Sequence, residues 1–164
     1  MKKAPLLVGL LAATALLAGC SDDEVGDVSL GMFTTKDIKI QTFTDPEITG
    51  VTCHISHVQG NLDLADPSDM GIACRQTGFI TMDMMKDIDT SKNGEVVFKA
   101  SKSILFKTLK IRRIYDKDSK TLMYLSYSTK ETQGSYKHSL STVPLYGSEA
   151  WTDLMAAEQA AKQQ

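Results

Sequence analysis

The 164-residue chain has no long apolar run, no surplus of basic charge, only three cysteines, and no internal repeat or low-complexity block. Each absence removes a class. A helix that spans a bilayer takes about 20 apolar residues, and the longest apolar stretch here stops at residues 6–17 (LLVGLLAATALL). Lys and Arg number 18 against 20 Asp and Glu, so no general electrostatic pull towards nucleic acid exists. Cys53 and Cys74 stand too far apart for the close-spaced dithiol motif of an oxidoreductase. The length suits one domain that buries its own core.

What the amino terminus does contain reads as a processing signal. Lys2 and Lys3 supply positive charge, residues 6–17 the apolar segment, and Ala18-Gly19 small residues ahead of a cut. Leu17-Ala18-Gly19-Cys20 resembles the bacterial lipobox, whose cysteine takes a diacylglyceryl group before cleavage and whose freed amine is then acylated, as by palmitate. Small residues let a peptidase approach the backbone, and only a thiol makes the thioether. The expectation is a signal peptide over residues 1–19 and an exported lipoprotein anchored through Cys20. At about 0.8 kcal/mol per buried methylene, two or three chains hold firmly. Ser21 points to the periplasmic face of the outer membrane, and Asp22 and Asp23 leave the inner membrane open. Removing residues 1–19 leaves 16 basic against 20 acidic side chains, a net charge of −4. With Cys20 assigned, Cys53 and Cys74 form an even pair in an oxidising compartment, and a disulfide is expected. Closing that loop stabilises by about 3 kcal/mol in the chain-entropy model.

Residues 20–27 are acidic and predict a flexible tether. Beyond them come short strand-like runs separated by turn signals. Residues 37–44 alternate Ile38, Ile40 and Thr42 with Lys39, Gln41 and Phe43, and Asp45-Pro46 ends the run. In residues 51–58, Val51, Cys53 and Ile55 share one face, which points Cys53 to the core. Asp66-Pro67-Ser68 reads as an N-cap with proline at the first helical position. It predicts a short helix through Ile72, Ala73 and Cys74 that Gly78 stops. Asn93-Gly94 marks a turn. Residues 95–99, 103–115 and 121–128 read as strands, the last two forming a hairpin about residues 116–120. Arg113 breaks the alternation of Leu109 and Ile111, which predicts a bulge there. Ser148 caps a C-terminal helix on which Trp151, Leu154 and Met155 share a face.

Four segments together are similar to one family. Residues 45–56 (DPEITGVTCHIS), 71–80 (GIACRQTGFI), 94–116 (GEVVFKASKSILFKTLKIRRIYD) and 122–144 (LMYLSYSTKETQGSYKHSLSTVP) resemble the CreA proteins, in order, over residues 28–146. The resemblance implies a small exported bacterial protein with paired cysteines, a pattern that Cys53 and Cys74 match. It implies no catalytic residues. The chain departs from the pattern in its lipobox, in Phe79 where proline is usual, and in His138 where asparagine is usual. The tail over residues 147–164 lies outside it.

The candidates for chemistry are few. Cys53 and His54 are neighbours, but on a strand they point to opposite faces, so the imidazole cannot take the thiol proton. His54 and His57 lie three apart, a helical spacing set on a strand. Met82, Met84 and Met85 could offer thioethers to copper(I), although methionines on a half-buried segment fill core gaps. Ser135, Lys137 and His138 could supply a nucleophile and a base. Residues 95–120 hold eight basic side chains against three acidic, a net of +5, while residues 20–94 carry −8. Within that segment Lys107, Lys110, Arg112 and Arg113 are candidates for contact with an anionic envelope surface. The alternative is basic strands pairing with the acidic half, or lysines guarding a sheet edge.

The expected fold is α+β: a mainly antiparallel β-sheet with a short disulfide-linked helix and a C-terminal helix. The expected function is binding or scaffolding by an envelope lipoprotein, with no cofactor, no metal and no nucleic-acid partner. An envelope enzyme using Ser135, Lys137 and His138 is the alternative, as is a basic-patch binder of anionic lipid or polysaccharide.

Overall fold

The computed structural model describes residues 23–32, 34, 36–60, 70–99, 109–129, 131 and 134–163. Strands β1 (Glu24–Ser29), β2 (Lys36–Thr44), β3 (Val51–Gly60) and β4 (Met70–Gln76) form one antiparallel sheet in chain order. Strands β5 (Glu95–Lys99), β6 (Leu109–Asp116), β7 (Thr121–Ser128) and β8 (His138–Pro144) form the other, again in order. Helix α1 (Met82–Lys86) lies between the sheets in sequence, and α2 (Glu149–Lys162) follows β8. No helix among the described residues is long and apolar enough to cross a membrane.

Alternation builds the core. Val51, Cys53 and Ile55 of β3, Leu109 and Ile111 of β6, Leu122 and Tyr124 of β7, and Val143 of β8 all point inward and are buried. Each such aliphatic side chain stabilises the fold by about 1.5–3 kcal/mol. Phe43 of β2 meets Phe98 of β5 edge to face, 5.0 Å between centroids, tying the two sheets together. Where β4 runs beside β8, the inward positions of the second sheet are serines: Ser126, Ser128, Ser139 and Ser141. Their small size admits the edge of β4, and the Cys74 amide donates to Ser141 Oγ at 2.8 Å.

The expected disulfide-linked helix is instead a disulfide-linked strand. Cys74 lies on β4, directly opposite Cys53 on β3, and the two are bonded with Cα atoms 4.0 Å apart. The reason is period two: Met70, Ile72 and Cys74 share a register face with His57, Ile55 and Cys53. Gly71 and Ala73 take the other face. The segment read as an N-cap, residues 66–68, lies outside the described residues. Of the tether expected over residues 20–27, residues 24–27 belong instead to strand β1, paired along β2.

The expected bulge at Arg113 is also corrected. The β6–β7 register runs unbroken from Leu109↔Ser128 to Asp116↔Thr121, confirming the hairpin. The irregularity sits on β5, where Val96 pairs with Arg112 and Phe98 with Ile111, leaving Val97 extra. That bulge puts both Glu95 and Phe98 on the inward face, which unbroken alternation could not do. Gly94 precedes it at φ +57, and a Cβ there would stand 2.0 Å from the Arg113 carbonyl oxygen. The hairpin turn is held by Asp116, whose carboxylate accepts from the Asp118 and Ser119 amides and the Ser119 hydroxyl. Those bonds hold its pKa below the usual carboxylate range, the Ser119 hydroxyl contributing most.

Helix α2 begins as expected, with Ser148 Oγ accepting from the Trp151 amide at 3.1 Å. Ala150 is wholly buried and its amide donates to the Ile80 carbonyl at 3.0 Å, which docks the helix start beside α1. The far end is tied by Lys120 to Glu158 at 2.7 Å, so the helix continues through Lys162.

Candidate functional site

Two places in the fold concentrate polar chemistry. The first is buried. The Asp45 carboxylate, at the end of β2, accepts from Arg113 Nη1 at 2.6 and 2.8 Å and from the Tyr124 hydroxyl at 2.7 Å. It also accepts from the amides of Glu47 (2.9 Å) and Ile48 (3.0 Å), a turn that aims the chain into β3. Arg113 Nη2 donates to Glu47 and Glu95. Arg113 is 1 % exposed, and Asp45 and Tyr124 are 0 %. Burial works against the guanidinium charge, and hydrogen bonds to Glu47 and Asp45 more than offset it, so its pKa is raised. Burial and the facing Asp45 charge push the Tyr124 phenol up, so it stays a donor. One guanidinium thus joins the β2–β3 turn to β5 and β6. With its three acids all engaged by the one base and its inner members Asp45, Arg113 and Tyr124 fully buried, this is a structural centre.

The second is open. Ile38 of β2, Ser56, His57 and Val58 of β3, Met70 and Gly71 of β4, and Lys137 and His138 at the entry to β8 line a cleft of about 410 Å³. Gly71 leaves room for Ser56 in the lining, since a Cβ at 71 would stand 2.8 Å from Ser56 Oγ. Its size falls in the range of small-molecule sites. Lys137 brings positive charge to the lining and no carboxylate opposes it there, which favours an anion over a cation. His57 is 2 % exposed, and burial lowers its pKa from 6.5, so the ring is neutral at neutral pH. Nearby Glu24 opposes that effect and Lys39 adds to it. His138 Nδ1 lies 2.8 Å from the Tyr136 carbonyl oxygen and donates to it, which in a neutral ring leaves Nε2 as acceptor.

The residues singled out from the sequence divide sharply. Cys20 and Lys107 lie outside the described residues. Lys110 and Arg112 share the outward face of β6, but the Arg112 guanidinium is engaged with the carbonyls of Asn93 (2.7 Å) and Gly94 (3.0 Å). Arg113 does not belong with them: it is buried in the ionic centre and takes no part in a surface. Lys137 and His138 line the cleft, whereas Ser135 is exposed and does not, so the three do not converge. Cys53 is wholly buried in its disulfide with His54 on the opposite face. Met85 is buried on α1, and Met82 and Met84 pack against the core. Among the described residues, no group of three or more His, Cys, Asp or Glu is placed to hold a metal ion.

Asp45, Glu47, Glu95 and Tyr124 were not foreseen as partners of Arg113. The signal available was parity: Arg113 follows Leu109 and Ile111 at even spacing, so it points inward and needs a buried acid.

Two four-stranded antiparallel meanders joined through a buried ionic centre, with a cross-strand disulfide between β3 and β4, define a small two-sheet β protein with a C-terminal helix. The family model described as CreA protein matches residues 25–148, and the chain belongs to that family. Relatives named Protein CreA from Escherichia coli strain K12 and from strains O6:H1 and O157:H7 are each 41% identical over 115 residues, covering 66% of this chain and 72% of the relative. No solved structure matches.

Proposed function

We propose that this CreA-family protein is exported, anchored by lipid on Cys20 to the periplasmic face of the outer membrane, and acts by binding an anionic ligand or partner group rather than by catalysis. The observation that carries the binding reading is the cleft. It is concave, apolar on Ile38, Val58 and Met70, edged by Lys137 and His138, and free of lining carboxylates. Such a lining suits recognition of an anion with an apolar body. Catalysis finds less support, because Ser135 lies away from Lys137 and His138 at the cleft. The export reading is supported by the lipobox over residues 17–20 and by the Cys53–Cys74 bond, which persists in an oxidising compartment.

Two measurements test it. Native mass spectrometry of protein extracted from envelopes is expected to show a bound anion that Lys137→Glu loses; a ligand-free native protein, or one retained equally by the variant, counts against the cleft. Fractionation tests the anchor: Cys20→Ser is expected to abolish the mass of the lipid on the mature terminus, and an unmodified Cys20 in the native protein refutes anchoring.

A further inference from the structure

We propose that the apolar margin formed by β1 and the turn after it lies against the bilayer itself, so that the domain is docked on the membrane rather than held away from it. This rests on the lipid anchor at Cys20. Strand β1 begins at Glu24, four residues after Cys20. Four extended residues reach at most about 14 Å, so the strand cannot leave the neighbourhood of the anchor. Among the described residues, four of the eight exposed large apolar side chains lie in this one stretch: Val25, Val28, Leu30 and Met32, with Met32 94 % exposed. The strand is also the edge of its sheet, paired only with β2. An edge with exposed apolar side chains is a hazard that folds cover or charge, and a lipid on Cys20 would bring this one to where acyl chains enter the bilayer.

The charges decide which kind of docking this is. The cation inside the stretch, Lys39, is held by Glu24 at 3.1 Å and by Asp27. Those bonds raise its pKa, Asp27 contributing most. Asp23, Glu24, Asp27 and Asp37 outnumber Lys36 and Lys39 here. Attraction to anionic headgroups is therefore not the driving force. Burial of Val28, Leu30 and Met32 at the boundary of headgroup and acyl chain is, as for other shallow apolar anchors that enter by about 5–10 Å. The docking has a consequence for the cleft. Val28 pairs in register with Ile38, which lines it, so the cleft lies one strand in from the membrane margin.

Tryptophan fluorescence tests this, because the chain has one native tryptophan, Trp151. The full lipidated chain carrying Trp151→Phe and Met32→Trp is placed in phosphatidylcholine vesicles, some with brominated acyl chains. Bromine near the headgroup boundary is expected to quench the introduced tryptophan at least about twofold, at the shallow depth such anchors occupy. Adding Val28→Asp and Leu30→Asp should relieve the quenching, with circular dichroism and the melting transition checking the fold. Raising salt, or adding phosphatidylglycerol, should leave the quenching unchanged. An unquenched tryptophan on protein whose Cys20 carries lipid by mass overturns the docking alone. An unmodified Cys20 overturns the anchor, and the docking with it. Quenching that depends on anionic lipid, or cross-linking through β1 to a second copy without quenching, also overturns it.

Discussion

The buried ionic centre makes the sharpest demand on stability. Breaking a buried pair by removing one partner costs about 3–5 kcal/mol, because the other charge stays buried and uncompensated. The local partners rank the variants within that range. Arg113→Met leaves the Asp45 carboxylate with the Tyr124 hydroxyl and the amides of Glu47 and Ile48, so its cost belongs near the lower end. It also strands less at Glu47 and Glu95, whose side chains are 44% and 27% exposed and reach water. Asp45→Ala removes those turn bonds as well, leaves the Tyr124 hydroxyl buried without its acceptor, and takes the carboxylate from Arg113 Nη1 while Nη2 keeps Glu47 and Glu95, which puts it at the upper end. Tyr124→Phe removes one neutral donor and costs about 1 kcal/mol. The expected order of destabilisation is Asp45→Ala, then Arg113→Met, then Tyr124→Phe, read as urea midpoints of the oxidised protein at constant m-value. Asp45→Ala with Arg113→Met should cost less than the sum of the two, because the second change relieves the charge exposed by the first. An Arg113→Met variant within about 0.5 kcal/mol of the native protein would refute the centre's role, since that is the scatter of ordinary surface substitutions. So would strict additivity.

Three further outcomes are expected. Cys53→Ala with Cys74→Ala should lower stability by about 3 kcal/mol, and reductant should have no further effect on that variant. Burial depresses the His57 pKa below 6.5, so the unfolded chain binds a proton that the folded one refuses. That contribution to stability is intact above pH 6.5 and is lost as pH falls below it, and His57→Phe should flatten the slope of melting temperature between pH 6.5 and 5. Ser148→Ala should destabilise by about 1 kcal/mol through loss of the α2 cap, and an unchanged melting temperature would show that α2 melts apart from the core.

How much could be read from the chain differed by element, for physical reasons. Strands β2, β3 and β7 are legible because apolar residues recur at period two and turn residues bound them, and β5 because a short apolar run follows the Asn93-Gly94 turn. The hairpin of β6 and β7, and the capped α2, followed from local chemistry alone. β4 is masked in the sequence by the N-cap pattern of residues 66–68, while the feature that fixes Cys74 is its cross-strand partner 21 residues earlier. Arg113 was misread because the rule that charges lie outside was allowed to outrank parity. Its partners come from Asp45 and Glu95, 68 and 18 positions away, and no local window contains them. The cleft was half legible: Lys137 and His138 had been noticed as chemistry, but His57 and Met70 join them only through the β3–β4 register.

The same register explains why the cleft lies where it does. Sheet β1–β4 is fixed near one end of β3, where Asp45 meets Arg113, where Cys53 bonds Cys74, and where the Cys74 amide meets Ser141. Each of these constraints combines a directional bond with burial, so together they hold the strands of both sheets at a set spacing. Towards the other end of β3, at Ser56, His57 and Val58, the facing residues are Gly71 and Met70, one without a side chain and the other with the most adaptable apolar one. A gap is what such a pairing leaves when the opposite end is pinned. On the inward face this end of β3 carries histidine at 57, where an apolar residue would have extended the core, and on the opposite face glycine at 71 leaves Ser56 uncovered. The cleft forms where these two positions meet.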